Sequence, residues 1–335
     1  MYYAGLDVSL KETFVSIMDK NGTLVTEQSV PSDVDALSTY LKKTKLPFER
    51  IGIESGQLSI PLCKGLSQQG LPVICVDARH MAAALSARIN KNDKNDARGI
   101  AQMLRVGLYK EVLVKSDEAC EIKFLLGSRR HLIGTHLELV GTIRGLLKMY
   151  GIKLGAKAHF FEQVRASITR LSIPIQRSVE SILSSLAEIE RSIEQLDQDI
   201  IEIGKKDEIC QRLMTIPGVG IMTAITYKTA IDCPERFEDS YAVGAYFGLT
   251  PKQYASGDVD RHGSISKMGS KECRTLLYEA AQVLLTRVKT QSTLKAWGLK
   301  LMQKKGRKKA IVAVARKLAV VMHRMLISEK DFCYQ

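Results

Sequence analysis

No stretch of about 18 uncharged apolar residues occurs in the chain, so no helical membrane span is expected. The opening residues, MYYAGLDVSLKE, contain neither a basic leader region nor an apolar segment behind it. A secretory signal is therefore not expected, and the chain reads as intracellular. Its seven cysteines are odd in number, scattered, and never spaced as CxxC or set beside a regularly placed histidine. That argues against a disulfide framework and a zinc site, and leaves reduced, mostly buried thiols as the expectation. Acidic residues are also missing locally: between Lys295 and Arg324 there is no Asp or Glu, against ten Lys or Arg. Much of the formal net charge of +13 and the pI of about 9.3 comes from that stretch, and it favours a polyanionic partner. The rest of the composition is ordinary: 335 residues, 45% hydrophobic and 25% charged, enough for two domains plus connecting structure. It excludes disordered, collagen-like and low-complexity chains.

The first hundred residues alternate strand and helix signals. YYAGLDVS, ETFVSIMDK and TLVTEQSV read as three strands, the last two joined at Asn21-Gly22, a dipeptide suited to a type I′ turn. DVDALSTYLKKTK then reads as a helix, RIGIES as a buried strand, IPLCKGLSQQG as a helix, LPVICVDA as a strand and ARHMAAALSARI as a helix. The order βββαβαβα predicts a mixed sheet of the ribonuclease H-like type, an antiparallel meander extended by strands reached through helices.

Beyond about Lys115 long helical segments take over, at Glu118 to Tyr150 and Val179 to Gly204. In the second, Val179, Ile182, Leu186, Ile189, Ile193, Leu196, Ile200 and Ile203 alternate spacings of 3 and 4 residues, the repeat of a coiled-coil seam. An intramolecular hairpin and a dimer seam fit this equally well. From Lys205 a mostly helical region follows. The resulting division is 1–112 for the sheet domain, 113–205 for the long helices and 206–335 for the C-terminal domain. IPGVG at 216–220 places Gly218 and Gly220 in a tight turn whose backbone N–H groups can face a DNA phosphate at the start of the next helix.

Four carboxylates carry the candidate chemistry. Asp7 interrupts the apolar first strand, and Glu54 ends the buried strand IGIE. A charge in such a strand is costly unless it is paired or binds a cation. In KNDKNDARGIAQML, Asp93 and Asp96 stand three apart and share one helical face if a helix starts there; a helix cap and a solvated first turn are the plainer uses of the pair. Carboxylates converging from separate elements suit magnesium, which prefers oxygen ligands and can serve phosphodiester chemistry.

Taken together, GLDVS at 5–9, GIESG at 52–56 and KNDKNDA at 91–97 resemble the N-terminal signature of the DEDD transposases of the insertion-sequence family numbered one hundred and ten, relatives of the Piv and MooV invertases. IPGVG, GLTP at 248–251, SG at 256–257, GSISKMG at 263–269, Arg274 and VAVARKL at 312–318 resemble that family's second conserved domain, in the expected order over almost the whole chain. The resemblance implies a RuvC-like domain in which Asp7, Glu54, Asp93 and Asp96 bind magnesium or manganese. It makes Ser256 the nucleophile of a recombinase that exchanges strands between donor and target DNA through a serine-phosphate intermediate. It further implies a structured bridge RNA as guide and an oligomer of two or four protomers, acting in a prokaryotic cytoplasm on the nucleoid. Asn92 stands where the family often has threonine, and Ala255 where a second serine is common.

Without the resemblance, QYASGDVDRHGSISKMGS reads as a flexible Gly- and Ser-rich loop, with Ser264 and Ser266 as fallback nucleophiles. Lys267, Arg274, Lys304, Lys305, Arg307, Lys308 and Lys309 are candidate phosphate contacts, since clustered cations repel one another and gain by meeting a polyanion. Arg129, Arg130, His131 and Arg144 on the first long helix are assigned no site. Two alternatives are a RuvC-like Holliday-junction nuclease, which needs the carboxylates but not Ser256, and an inactive nucleic-acid-binding protein. GLDVS is also similar to the phosphate-binding strand of sugar kinases and actin-like ATPases, but no second glycine-rich phosphate loop follows.

Overall fold

The structure is a computed structural model and describes residues 1–86, 92–155, 159–256 and 259–334. The chain divides into two compact units, Met1–Lys115 and Ser116–Gln335.

The first unit runs β1 (Tyr2–Val8), β2 (Glu12–Asp19), β3 (Leu24–Pro31), α1 (Val34–Lys43), β4 (Phe48–Glu54), α2 (Ser59–Gln68), β5 (Val73–Val76), α3 (Ala78–Leu85) and α4 (Asp93–Arg105). The sheet order is β3-β2-β1-β4-β5; the first three strands are mutually antiparallel, and β4 and β5 extend β1 in parallel. This is the mixed arrangement that the element order predicts. Strand alternation sorts the two faces. Ala4, Leu6, Ile51 and Ile53 share a core with Leu37 and Leu41 of α1 and Leu62 and Leu66 of α2. Gly5 and Gly52 face the other way, against α4.

The turn at Asn21-Gly22 differs from the expected type I′. Only Gly22 has a positive φ, and residues 20–23 form a longer loop held by the Asp19 carboxylate, which accepts from the Asn21 and Thr23 amides. The helix expected over 78–89 is observed to Leu85; residues 87–89 lie outside the described residues.

The second unit contains α5 (Asp117–Lys148), α6 (Phe160–Ile168), α7 (Ile173–Lys206), α8 (Glu208–Met214), α9 (Ile221–Ile231), α10 (Ala242–Tyr246), β6 (Pro251–Ser256), β7 (Val259–Ile265), α11 (Lys271–Thr286), α12 (Thr293–Lys305) and α13 (Arg307–Ser328). Helices α5 and α7 lie side by side and antiparallel. Arg129 pairs with Asp197, His136 Nε2 lies 2.8 Å from Glu190 Oε1, and Ile143 and Leu147 share a core with Val179, Leu183 and Leu186. Within the chain, α5 and α7 thus pack as a hairpin. Val179, Leu186 and Ile200 are buried, the seam residues between them are half-buried, and Ile203 is exposed. At its near end, Ile122, Leu126 and Ile200 enter the main core with α8, α9, α11 and α13. Among the described residues no helix is long and apolar enough to cross a membrane.

One element departs from expectation. Within 253–270, read as a flexible loop, residues 253–256 and 259–265 belong to a two-stranded antiparallel ribbon in which β6 (Pro251–Ser256) pairs with β7 (Val259–Ile265). All of β6 is exposed, so neither face needs apolar residues and the period-2 pattern that reveals a strand is absent.

Candidate active site and nucleic-acid interface

The β1–β4 ladder ends at Leu6 opposite Ile53, which leaves Asp7 and Glu54 next in line on adjacent parallel strands. Each carboxylate lies two residues beyond a glycine that touches α4, so both stand on the α4 face of the sheet. The fit of that helix is set by the missing side chains. A Cβ at Gly5 would stand 2.1 Å from the Ala97 carbonyl oxygen, and one at Gly52 would stand 2.7 Å from Leu104.

The C-terminal end of α4 lies by the β2–β3 loop, where Arg105 donates to the Lys20 carbonyl at 3.2 Å. Its first turn therefore points to the opposite end of the sheet, where Asp7 and Glu54 stand. That turn carries Asp93, exposed, and Asp96, half-buried. The helix cap is Asn92, whose side-chain oxygen accepts from the Asn95 amide at 2.8 Å, so Asp93 is not needed as a cap. Lys91, which opens the motif, lies outside the described residues.

Asp7 and Glu54 both line a cleft of about 260 Å³, with Ser9, Ser55 and Ser59 among its other polar walls. The donors offered there are oxygens, the kind a hard divalent cation takes. Among the described residues no three His, Cys, Asp or Glu side chains stand grouped as a formed metal site. The sheet and helix bring the four carboxylates to one end of the unit without closing them on a common point.

Sequence reasoning missed Glu27, which pins α4 across the sheet. It pairs with Arg98, and Lys94 Nζ lies 3.0 Å from its Oε2. Burial pulls the Glu27 carboxyl upward, but the hydrogen bonds and charges of Arg98 and Lys94 prevail and hold it below the usual glutamate range. The signal was available in part: Lys94 and Arg98 are four apart on the helix that carries the acidic pair.

In the second unit Ser256 is exposed at the end of β6, paired with Val259. Gly257, the other half of the SG motif, lies outside the described residues. Ser264 is exposed in β7, and Ser266 closes the root of the ribbon through its amide and the Thr250 carbonyl at 2.8 Å. Arg274 braces that root: its Nη1 donates to the carbonyls of Phe247 at 2.9 Å and Met268 at 3.0 Å. Lys267 is exposed, with a φ of 57°.

Gly218 takes a φ of 92°, and a Cβ there would stand 2.9 Å from the Ala280 carbonyl oxygen, so it allows α11 to approach the turn. Gly220 caps α9 and is exposed, with open space where a side chain would stand. The ten cations near the C-terminus do not act alike. Lys295 is buried and donates to the Val288 carbonyl at 2.7 Å, Lys317 lies over the Trp297 ring, and Arg324 lies over Tyr241. Lys304, Lys305, Arg307, Lys308 and Lys309 are all exposed around Gly306, where α12 meets α13. On the hairpin, Arg129 pairs with Asp197, Arg130 with Glu272, and Arg144 donates to the Gly155 carbonyl.

A DEDD transposase family model matches residues 4–152, and one described as "Transposase IS116/IS110/IS902 family" matches residues 210–298. The transposase for insertion sequence element IS1111A of Coxiella burnetii is 30% identical over 270 residues, covering 78% of this chain and 73% of that protein. The pilin gene-inverting protein of Moraxella bovis is 31% identical over 148 residues, covering 42% of this chain and 45% of that one. Among solved structures, T. thermophilus RuvC in complex with a Holliday junction substrate covers 33% of this chain and 99% of its own, at 13% identity and a TM-score of 0.28. The chain belongs to the insertion-sequence transposases of the IS116/IS110/IS902 family, enzymes that cleave and rejoin DNA.

Proposed function

We propose that this transposase is a bridge-RNA-guided recombinase that exchanges strands between donor and target DNA through a phosphodiester to Ser256. In this reading its first unit is a RuvC-like domain in which Asp7, Glu54, Asp93 and Asp96 hold magnesium or manganese. The observation that carries the reading is that Asp7 and Glu54, on adjacent strand ends, stand at the same end of the unit as the α4 turn that bears Asp93 and Asp96. A divalent cation held there supplies Lewis-acid stabilisation of charge on phosphate oxygens. The chain's own contribution is placement. Close backbone packing at Gly5 fixes α4 on the sheet, and the helix N-terminus favours negative charge in its first turn. Further support comes from the exposed Ser256 hydroxyl and the cations around Gly306, which suit a serine nucleophile and the phosphates of nucleic acid. The working form is an oligomer of two or four protomers.

The test is an assay for SDS-resistant protein–DNA adducts with the full chain, magnesium, donor and target DNA, and RNA transcribed from the element's flank. The expected result is an adduct that requires the RNA and is lost in both Ser256→Ala and Asp7→Ala. DNA cleavage that needs Asp7 but survives Ser256→Ala, with no adduct, would instead establish a RuvC-like junction nuclease.

A further inference from the structure

Strand pairing sorts the ribbon into two unlike faces. Tyr254 sits directly opposite Arg261, and Ser256, two residues along β6, shares the face of Tyr254. Ser256 and Arg261 are thus diagonal neighbours, a separation that long side chains span. Lys252 lies on the same face, because a Cβ at Gly263 would stand 3.8 Å from the Lys252 Cβ and Gly263 is two residues beyond Arg261. The back of the ribbon holds the acid: Asp260 pairs with Ala255 and accepts from Gln253 Nε2 at 3.0 Å. The serine face therefore carries Arg261, Lys252 and an aromatic ring, and the Asp260 carboxylate is turned away from it. Tyr254 is 70% exposed, and Arg261 is exposed and belongs to no ion pair among the described residues. Nothing in the packing of the ribbon accounts for this arrangement, since both residues project from the core.

We infer that Arg261 is a catalytic residue that grips the scissile phosphate while Ser256 attacks it, with Tyr254 as a stacking surface for the adjoining nucleotide. The inference rests on the reading of Ser256 as the nucleophile. In the step, the bond from Ser256 Oγ to phosphorus forms and the phosphorus–oxygen bond to one deoxyribose breaks. The hydroxyl proton passes through solvent to the departing sugar oxygen, so the exchange is a transesterification without oxidant or reductant. Negative charge concentrates on the non-bridging oxygens at the transition state, and a planar guanidinium matches two of them at once. Arg261 transfers no proton. The absent side chain at Gly263 leaves the surface beside Arg261 low enough for a backbone phosphate to approach.

The experiment measures single-turnover adduct formation by the full chain with RNA, on DNA whose scissile linkage is either the natural diester or an uncharged methylphosphonate. Arg261→Ala should slow the reaction on the diester by about 100-fold, the usual effect of losing one preorganised charge-stabilising donor. The salt slope of DNA binding should fall by no more than about one. On the methylphosphonate the variant should come within about threefold of wild type, because the charge Arg261 answers is gone. Arg261→Lys, which keeps the charge but not the fork, should recover part of the rate on the diester, and thermal melting of both variants checks folding. Arg261→Ala matching wild type on the diester, or equally impaired on both linkages, would overturn the inference. If Ser256→Ala abolishes the adduct, that failure concerns Arg261 alone. If Ser256→Ala still forms it, the nucleophile itself is misassigned.

Discussion

Asp7 and Glu54 stand next to or at the ends of strands and directly follow Leu6 and Ile53, which have no solvent exposure, whereas Ser256 ends a strand in which every residue is exposed. The first pair is positioned by packing from beneath and above: apolar side chains from α1 and α2 on one face, and the backbone of α4 on the other. The serine is positioned by a ladder alone, anchored at its root by the Arg274 guanidinium and the Ser266 amide. Carboxylates that must act together need a fixed frame, because electrostatic preorganisation is lost when charges drift. A nucleophile that must reach into a DNA strand gains from projecting. The two units therefore position their candidate groups differently, on a packed sheet in the first and on an exposed ribbon in the second.

Glycine substitutions give the most direct way to break that contrast. Gly5→Val drives a side chain into the α4 backbone and should cost roughly 2–3 kcal/mol, read as a fall in the urea midpoint, with loss of adduct formation. Gly263→Ala in the ribbon meets only ordinary contacts at 3.7 and 3.8 Å and should stay within about 0.5 kcal/mol of wild type. Equal costs at the two positions would erase the distinction between a packed and a projecting site.

A smaller effect should come from the Glu27 pairing. Its carboxyl is held below the usual glutamate range in the folded chain, so its contribution is fully present above the ordinary glutamate value. That contribution is lost as pH falls through the lower folded one. Glu27→Gln should cost roughly 1–3 kcal/mol at neutral pH, the usual worth of hydrogen bonds to charged groups. Urea melts across the acid range should show the two curves converging, and a constant gap down to the lowest pH would mean that shape, not charge, is what Glu27 supplies.

The smallest effect has the opposite sign. Gly134 lies within α5 with nothing within 4 Å of an added Cβ. Gly134→Ala should raise stability by about 0.5–1 kcal/mol, visible as a higher midpoint of thermal melting. A loss of stability there would mean that the hairpin surface is more crowded than the structure indicates.

Much of the first unit was legible because its residues obey strong local rules. The three opening strands fall within a residue or two of the expected ends, since apolar alternation and the Asn21-Gly22 dipeptide mark them clearly. The placement of Asp7 and Glu54 was partly legible as charges in apolar strands. Their shared face was not drawn from the sequence, although Gly5-Leu6-Asp7 and Gly52-Ile53-Glu54 repeat one pattern, a glycine for the helix and an acid two residues on. The ribbon stayed hidden because exposed strands need no hydrophobic period. The sharing of roles among the C-terminal cations was equally hidden: composition counts Lys295 and Lys304 alike, and only the fold separates a buried carbonyl donor from an exposed charge.

The pairing of Tyr254 with Arg261 also imposes a rule of parity on the chain. Sides of a strand alternate with each residue, so inserting one residue between Tyr254 and Ser256 would send the serine to the face that holds Asp260, while inserting two would return it to the side of Arg261. Wherever regular pairing is kept, the side on which the serine stands is therefore set by whether the number of residues separating it from Tyr254 is odd or even.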